Sequence, residues 1–352
     1  MKKLLSIVLA LTMTAGLVSG CGEQNSEKDT EKNVLNVLTW DGYSPEDILT
    51  EFKASTGMEV NLSNFNTNEE MLSKLEATKG GQYDVVIGSD YIIDIARNMG
   101  LLAELDTAKI PNFKNIDPVF QSQYYDPQNI YTVPYGPGTP LIIYDPAKVT
   151  VDIQGYSDLW DPSLKNSIVM IDDARNIIGI TLKTMGKSLN ETDETVLNTA
   201  KEKLFELKPN IYKLDYNNPY DAIINGEASV AYMFTPQVLL AQEARPELKV
   251  VYPKEGMGFG IDCWFIPLNA PHKDAAHTFL NYILDAENGA RISEQIKYIC
   301  PNQASAEYLS AEFKSNQVLY IPSDVLGETE FIKDVGEATT LYDSIWTAFK
   351  QQ

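Results

Sequence analysis

Short apolar runs and stretches of helical periodicity follow one another along this chain from Val34 onward. Runs of β-branched and other apolar residues predict buried strands, and apolar residues spaced three or four apart predict one face of a helix. The predicted strands are 34–38, 59–62, 84–87, 141–144, 167–171 and 229–234. Predicted helices begin near residue 45 and after residue 88, include 71–75, and span 218–225 and 273–284. This alternation predicts an α/β fold, with mostly parallel sheets that carry helices on both faces.

The first predicted helix has a recognisable start. Ser44 suits the N-cap, Pro45 suits the first helical position, and Asp47 places a negative charge in the first turn. We therefore expect this helix to begin directly after Ser44.

Two loops follow predicted parallel strands, at 40–43 and 88–91. Ligands of sheets of this kind bind beyond the carboxyl ends of the strands. The order of the elements alone therefore predicts that a ligand site lies at these two loops.

Two runs rich in glycine and proline, 132–140 and 256–267, interrupt the pattern and predict crossovers between two lobes. A chain of 352 residues is also longer than one hydrophobic core usually serves. We expect lobe 1 to comprise 34–138 and 268–322. We expect lobe 2 to comprise 139–267 and 323–352.

The N-terminus has the composition of a secretory leader. Two lysines precede an apolar run, 4–18, that is too short to span a bilayer stably. Small residues then precede Cys21, and the segment resembles a bacterial lipobox, in which the cysteine is acylated and the leader is removed. We expect a signal peptide over 1–20, lipid on Cys21 and a flexible tether over 21–33. The alternative is an ordinary secreted protein in which Cys21 merely follows the cleavage site.

The chain is strongly acidic, with 28 basic and 49 acidic residues and a formal net charge of −21. Nucleic-acid binding needs basic stripes, so we expect no nucleic-acid partner. An acidic surface is compatible with a cationic ligand, although it serves solubility equally well. Besides Cys21 there are only Cys263 and Cys300, for which a disulfide and two free thiols are both open.

Motifs typical of enzymes are incomplete. Residues 186–188 (GKS) resemble the end of a phosphate loop, but Thr181 stands where the first glycine is required. His272 and His277 fall on different helix faces, and no cysteine or carboxylate pattern completes a zinc site. No Gly-x-Ser-x-Gly turn is present. We therefore expect that the protein is not an enzyme and has no catalytic residue, metal or cofactor. The alternative is an enzyme that uses a pair of carboxylates.

Six segments of the chain are similar to the spermidine/putrescine-binding proteins of bacterial ABC importers. They are LTWDGY at 38–43, YDVVIGSDY at 83–91, DLW at 158–160, DDAR at 172–175, VYPKEG at 251–256 and YICPN at 298–302. The resemblance implies a two-lobe, periplasmic-binding-protein-like fold of type II, with the ligand in the cleft between the lobes. It implies a polyamine ligand, putrescine and/or spermidine, and an ABC permease as partner. Delivery of one ligand to one permease makes a monomer the default expectation. The lipobox implies a location outside the cytoplasm, with the protein held at the cell membrane by its lipid.

The resemblance further implies which residues line the cleft. In these proteins aromatic rings form the walls and carboxylates receive the amino groups. The implied ligand-binding residues are Trp40, Asp41, Tyr43, Ser89, Tyr91, Asp173, Phe234, Asp262 and Tyr298. Asp173 and Asp262 would each bind one end of a diamine, because a buried ammonium group needs a paired carboxylate.

The chain departs from the family pattern at several positions. Gly42 replaces an acid, with Asp41 beside it as a substitute, and Asn176 replaces a glutamate. Gly260 and Ile332 stand where a ring and a glutamine would line the cavity. Fewer acids and rings favour a shorter amine, or a different ligand such as another small organic cation or an amino-acid-like compound. A surface enzyme or adhesion module is the third hypothesis.

Several implied site residues also have a purely structural interpretation. Trp40 and Phe234 are compatible with core positions at strand ends. Asp173 is compatible with a cap on the helix that follows it, with Arg175 as its partner. These interpretations remain open from the sequence alone.

Overall fold

The computed structural model describes residues 33–319, 321, 325 and 329–351. The expected signal peptide, Cys21 and the tether up to residue 32 lie outside the described residues. Across the part of the chain that is described, no helix is long and apolar enough to cross a bilayer.

The first part of the chain forms four strands of one sheet and three helices. The elements are β1 (Val34–Trp40), α1 (Glu46–Thr56), β2 (Glu59–Phe65), α2 (Asn68–Thr78), β3 (Val85–Ser89), α3 (Asp90–Asn98) and β4 (Thr132–Gly138). The three strands predicted here, at 34–38, 59–62 and 84–87, are confirmed to within a few residues.

The middle of the chain forms a second sheet. Its elements are β5 (Leu141–Tyr144), β6 (Ile168–Met170), α4 (Ala174–Thr184), α5 (Glu194–Leu207), β7 (Ile211–Leu214), α6 (Pro219–Ile224), β8 (Val230–Met233), α7 (Thr235–Ala244) and β9 (Lys249–Val251). The predicted strands at 141–144, 167–171 and 229–234 and the helix near 218–225 are confirmed. The edge strands β7 and β9 were not predicted, because each is short and carries exposed polar residues.

The chain then returns to the first sheet and ends on the second lobe. These elements are β10 (Gly258–Phe265), α8 (Lys273–Ile283), α9 (Ala286–Ile296), α10 (Ala311–Ser315), β11 (Glu330–Phe331) and α11 (Thr339–Gln351). The predicted helix at 273–284 is confirmed as α8.

The two sheets share one plan. The first has the order β2-β1-β3-β10-β4, with β11 beside the start of β10, and the second has the order β7-β6-β8-β5-β9. Apart from the two-residue β11, a single strand in each sheet, β10 or β5, runs antiparallel to its neighbours. The α/β class and the mostly parallel sheets are therefore confirmed, with one antiparallel strand inserted in each lobe.

Each sheet has its own hydrophobic core. The first surrounds the fully buried Trp264, whose ring packs edge-on against Tyr135 and Phe279. The second core includes Tyr232 of β8 and the buried face of α11. Two separate cores are what a two-lobe protein requires.

Three segments lie in a different lobe from the one expected. Residues 258–265, assigned above to lobe 2, belong to the first sheet because β10 pairs with both β3 and β4. The short β11, also assigned above to lobe 2, pairs with the start of β10. Residues 309–319, assigned above to lobe 1, pack against the second core through Leu309, Phe313 and Val318. The second crossover is therefore the segment between β9 and β10.

The start of α1 also differs from the prediction. Pro45 is the N-cap and the helix begins at Glu46. The Oγ atom of Ser44 is buried and makes no hydrogen bond to any described residue, so the predicted Ser44 cap is wrong. The reason lies in Pro45, whose ψ of 132° keeps it outside the helix and moves the start by one residue.

A buried carboxylate joins β1 to the returning part of the chain. Asp84 accepts hydrogen bonds from the backbone N and side-chain Nδ2 of Asn36, at 2.7 and 2.9 Å. It also accepts from the backbone N of His272 at 2.6 Å, and His272 Nδ1 lies 3.0 Å away. Loss of this carboxylate would leave several donors without a partner.

We therefore expect Asp84→Ala to lower the free energy of unfolding by about 3 kcal/mol, because each buried unsatisfied donor costs about 1–3 kcal/mol. Urea denaturation followed by circular dichroism measures this change. Asp343→Ala is the control, because Asp343 is exposed on α11, and it should alter stability by no more than about 0.5 kcal/mol. Equal effects of the two substitutions would contradict the prediction.

Candidate ligand-binding site

One partly buried carboxylate, on Asp262 of β10, is the centre of the candidate site. The hydroxyl of Tyr43 donates to Oδ2 at 2.8 Å, and the hydroxyl of Ser89 donates to Oδ1 at 2.7 Å. Among the described residues, no basic side chain neutralises this carboxylate. Both oxygens are held by neutral donors and keep lone pairs for a further, cationic partner.

Strand pairing brings these three residues together. Ser89 ends β3 and lies opposite Asp262 in the antiparallel pairing with β10. Tyr43 follows β1 through a turn in which Gly42 has φ of +69°, a conformation that glycine adopts without strain. Since β1 and β3 are adjacent parallel strands, their following loops meet at one edge of the sheet. The structure thus brings both predicted loops, 40–43 and 88–91, to the same place.

Three aromatic rings surround the ring of Tyr43. Those of Trp40, Tyr135 and Tyr298 pack edge-on against it, with centroid distances of 5.5, 5.4 and 5.7 Å. The Tyr135 hydroxyl also donates to the carbonyl oxygen of Tyr43 at 2.8 Å. These contacts fix an apolar wall beside the carboxylate.

Two glycines of β4 make room for this wall. A Cβ atom at Gly136 would lie 2.1 Å from the hydroxyl oxygen of Tyr43. A Cβ atom at Gly138 would lie 2.8 Å from Cε1 of Tyr298. Both distances are shorter than van der Waals contact, so the glycine-rich crossover shapes the site as well as joining the lobes.

The electrostatic state of Asp262 follows from its burial. Burial raises the pKa of Asp262 above its usual value, and the hydrogen bonds from Ser89 and Tyr43 oppose the rise. Burial and the nearby Asp262 charge together raise the pKa of Tyr43 well above its ordinary value. Tyr43 therefore remains a hydrogen-bond donor, and Asp262 has no counter-charge among the described residues.

The second lobe contributes one carboxylate and two rings. Asp173 follows β6 and caps α4, and its Oδ1 accepts from the backbone N and Nδ2 of Asn176 at 2.8 and 3.0 Å. Within the described chain, its Oδ2 accepts no hydrogen bond. Phe234 follows β8, and its ring centroid lies 6.0 Å from that of Tyr216. Tyr216 is 52% exposed.

Carboxylates of both lobes influence two tyrosine hydroxyls. Burial raises the pKa of Tyr91, and the negative charges of Glu69 and Asp173 add to the rise. Partial burial raises the pKa of Tyr216 to about 12, with contributions from Asp173, Asp262 and Glu69. The surroundings of both hydroxyls are therefore electronegative.

Comparison with known proteins identifies the family. Residues 47–319 match the bacterial extracellular solute-binding protein family. The chain is 33% identical to the spermidine/putrescine-binding periplasmic protein of Salmonella typhimurium, over 91% of this chain and 92% of that protein. It is 30% identical to PotF, a putrescine-binding periplasmic protein of Escherichia coli, over 84% of this chain and 85% of that protein.

The chain belongs to the bacterial extracellular solute-binding protein family. A solved structure agrees, that of PotD, the spermidine/putrescine ABC transporter substrate-binding protein of Streptococcus pneumoniae. It has a TM-score of 0.82 and 31% identity, over 91% of this chain and 99% of that chain. The expected two-lobe fold is confirmed. Members of this family bind substrates for transport and work outside the cytoplasm.

Among the described residues, Asp41 makes no hydrogen bond with Asp262. It is exposed and accepts a hydrogen bond from Asn64 at 3.1 Å. At Gly260, where the family pattern has a ring, a Cβ atom would lie 3.9 Å from Oδ2 of Asp90. The binding role of Asp41 stays a prediction.

The structural interpretation of Asp173 is confirmed in part. Asp173 caps α4 as described, but Arg175 is not its hydrogen-bonding partner. The Arg175 guanidinium donates to the carbonyl oxygen of Lys333 at 2.9 Å and to Oδ1 of Asn190 at 3.0 Å. Its ring contact is with Tyr342, 4.8 Å from the centroid.

Both remaining cysteines of the solute-binding protein are free thiols, so the disulfide left open above does not form. Cys263 is buried, and its Sγ lies 3.4 Å from the hydroxyl of Tyr125. Among the described residues, no group of three or more potential ligands could hold a metal ion. His272 contacts Asp84 instead, and Nε2 of His277 accepts from the backbone N of Asp106 at 2.9 Å.

Four residues of the site were missed from the sequence. Asn68 donates to Ser89 Oγ at 3.1 Å and accepts from Ser89 N at 3.2 Å, which fixes the serine. Glu69 accepts from the Tyr91 hydroxyl at 3.0 Å. Asn68 and Glu69 follow β2, a predicted strand, so the rule on strand ends would have found both. Tyr216 follows β7, an edge strand that the sequence did not predict. Tyr135 lies within a strand and carried no such signal.

The raised pKa of Asp262 predicts how Asp262→Asn changes stability without ligand. A carboxylate whose folded pKa is raised binds its proton more tightly when folded, so wild-type stability falls as pH rises from about 4 through the folded pKa. The asparagine variant has no such loss. Urea denaturation measures the free energy of unfolding of both proteins. The value for the variant minus that for wild type should be more positive at pH 7 than at pH 4.

Asp274→Asn is the matched control for this experiment. The hydrogen bond from Lys109 lowers the pKa of Asp274, so its variant should follow the opposite trend with pH. A stability difference for Asp262→Asn that is the same at both pH values would contradict the interpretation.

Proposed function

We propose that this protein captures a polyamine, putrescine or spermidine, between its lobes and delivers it to an ABC permease. The observation that carries the proposal is Asp262, a partly buried carboxylate held by two neutral hydroxyls beside a wall of rings. No basic side chain of the described residues neutralises it. The relatives at 33% and 30% identity, which are spermidine/putrescine-binding and putrescine-binding proteins, support the same class of ligand.

The proposed ligand contacts are those of a cation in a dry cleft. One ammonium group would bind Asp262 and the other Asp173, whose Oδ2 is open. Hydrogen bonds to charged groups contribute about 1.5–3 kcal/mol each, and a desolvated contact between a ring and a cation about 2 kcal/mol. Two of each total about 7–10 kcal/mol before ordering costs, in the range of the roughly 8 kcal/mol of micromolar binding.

The methylene chain between the amines would rest on rings from both lobes. Trp40, Tyr43, Tyr91 and Tyr298 belong to the first lobe, and Phe234 to the second, with Ser89 supporting Asp262. Since the two lobes bind the ligand together only when they meet, ligand shifts the lobe equilibrium toward the closed state.

The proposal extends to attachment and partners. The leader 1–20 is removed, Cys21 is acylated, and 21–33 acts as a tether to the membrane. One monomer delivers one ligand to the permease.

Calorimetry with putrescine, cadaverine, spermidine and spermine tests the ligand class on protein that begins after Cys21. We expect binding of at least one of them, and Asp262→Asn should weaken it by about tenfold or more, because an ammonium group loses its charged partner. Asp274→Asn removes the same charge from an exposed site and should leave affinity unchanged. No heat with any of the four amines would end the polyamine proposal.

Detergent phase partition of the full-length protein from a bacterial host tests the anchor. Wild type should enter the detergent phase, and Cys21→Ser should remain in the aqueous phase because its acceptor for lipid is gone. Cys300→Ser is the control and should behave as wild type. Detergent partition of Cys21→Ser would show that another feature holds the protein at the membrane.

A further inference from the structure

A third carboxylate lies at the rim of the proposed cleft. Glu69 is in the first turn of α2, directly after Asn68, whose side chain binds Ser89 through both its amide atoms. Ser89 in turn binds Asp262. Glu69 is therefore placed by the same chain of contacts that orients the central carboxylate.

Tyr91 joins Glu69 to the cleft. Its hydroxyl donates to Oε1 of Glu69 at 3.0 Å, and its ring is partly buried. The charges of Glu69 and of Asp173, on the opposite lobe, both add to the raised pKa of this hydroxyl. Through the hydrogen bond, Glu69 is in direct contact with a residue of the proposed ligand site.

The path from Glu69 to Asp262 is short and lies within the first lobe. It runs through the adjacent Asn68 and through Ser89, which donates to Asp262. A ligand bound at Asp262 that extends along Tyr91 would therefore extend toward Glu69.

The charge of Glu69 is not used by the protein itself. Its neighbour Glu70 pairs with Lys74 at 2.8 Å, whereas no ion pair among the described residues involves Glu69. Arg175 is the cation whose charge acts on Asp173 and Tyr91. Its guanidinium donates to the carbonyl oxygen of Lys333 and to Oδ1 of Asn190.

We propose that Glu69 is a specificity-determining residue, which binds the third ammonium group of a linear triamine whose other two groups bind Asp262 and Asp173. This inference rests on the proposed polyamine function. A diamine has a cation for only two of the three carboxylates, so Glu69 contributes only when the ligand has a third. The site then suits spermidine. This differs from the sequence-based expectation of a shorter amine, which came from the replacement of two acids of the family pattern by Gly42 and Asn176.

A purely structural role for Glu69 makes a different prediction. If Glu69 only orients Tyr91, glutamine should replace it, because its amide oxygen accepts the same hydrogen bond without a charge. Tyr91→Phe makes the complementary change, since it removes the hydroxyl and keeps the carboxylate. The two variants therefore separate charge from positioning.

Calorimetry of Glu69→Gln with spermidine and with putrescine provides the test. We expect spermidine binding to weaken by about fivefold, the effect of one partly exposed ion pair, and putrescine binding to change by less than about twofold. Tyr91→Phe should keep the wild-type ratio of the two affinities. Glu70→Gln, on the same turn of α2, is the control and should leave both affinities unchanged.

The outcomes are distinct. An unchanged ratio of affinities in Glu69→Gln, whether both affinities stay or both fall together, overturns the role of Glu69, as does wild-type protein that binds putrescine but not spermidine. In each of these cases the polyamine function stands. Wild-type protein that binds no polyamine shows instead that the proposed function itself has failed.

Discussion

The structure is organised around a carboxylate without a counter-charge. Moving a charged group away from water is costly unless a partner of opposite charge replaces the solvent, and Asp262 has only two neutral hydroxyl donors. The residues around Asp262 hold its carboxylate in place despite this cost. The hydrogen bonds from Tyr43 and Ser89 restrict rotation of the Asp262 side chain toward water. Because Gly136 has no Cβ atom, the Tyr43 hydroxyl can approach the strand. A cation bound beside Asp262 would supply the missing opposite charge and offset the free-energy cost of desolvation.

The position of Asp262 depends on one topological feature, the antiparallel strand inserted between β3 and β4. This strand leads the chain out of the second lobe, and β4 leads the chain into it. The two run side by side, with Gly138 opposite Gly260, and the hydroxyl of Thr139 donates to the carbonyl oxygen of Gly258 at 2.5 Å. A bend where these strands leave the sheet would change the angle between the lobes and leave both cores intact. Asp262 stays fixed to the first lobe while Asp173 and Phe234 move with the second.

Much of this could be predicted from local sequence. Apolar runs located the buried strands, and the rule on strand ends located the loops of Tyr43 and Ser89 in advance. The same rule, applied to β2, would also have found Glu69, whereas Tyr216 follows the edge strand β7, which the sequence did not predict. The inserted strand was harder, since its glycines indicate a crossover as readily as a strand, and only pairing with both neighbours decides between them. Tyr135 could not have been found, because its role depends on a contact with Tyr43 across the sheet.

Asp173 shows why a structural and a functional interpretation need not compete. A carboxylate has two oxygens, and capping α4 engages only Oδ1. The cap fixes the side chain at the end of β6 without occupying Oδ2, so the residue that caps the helix keeps one oxygen for the cation of the proposed function. Asn176 donates its amide to the same Oδ1, so an uncharged residue at that position supports the Asp173 carboxylate. A sequence pattern that predicts a helix cap is for this reason no argument against a binding role, and the decisive observation is which oxygen the cap leaves free.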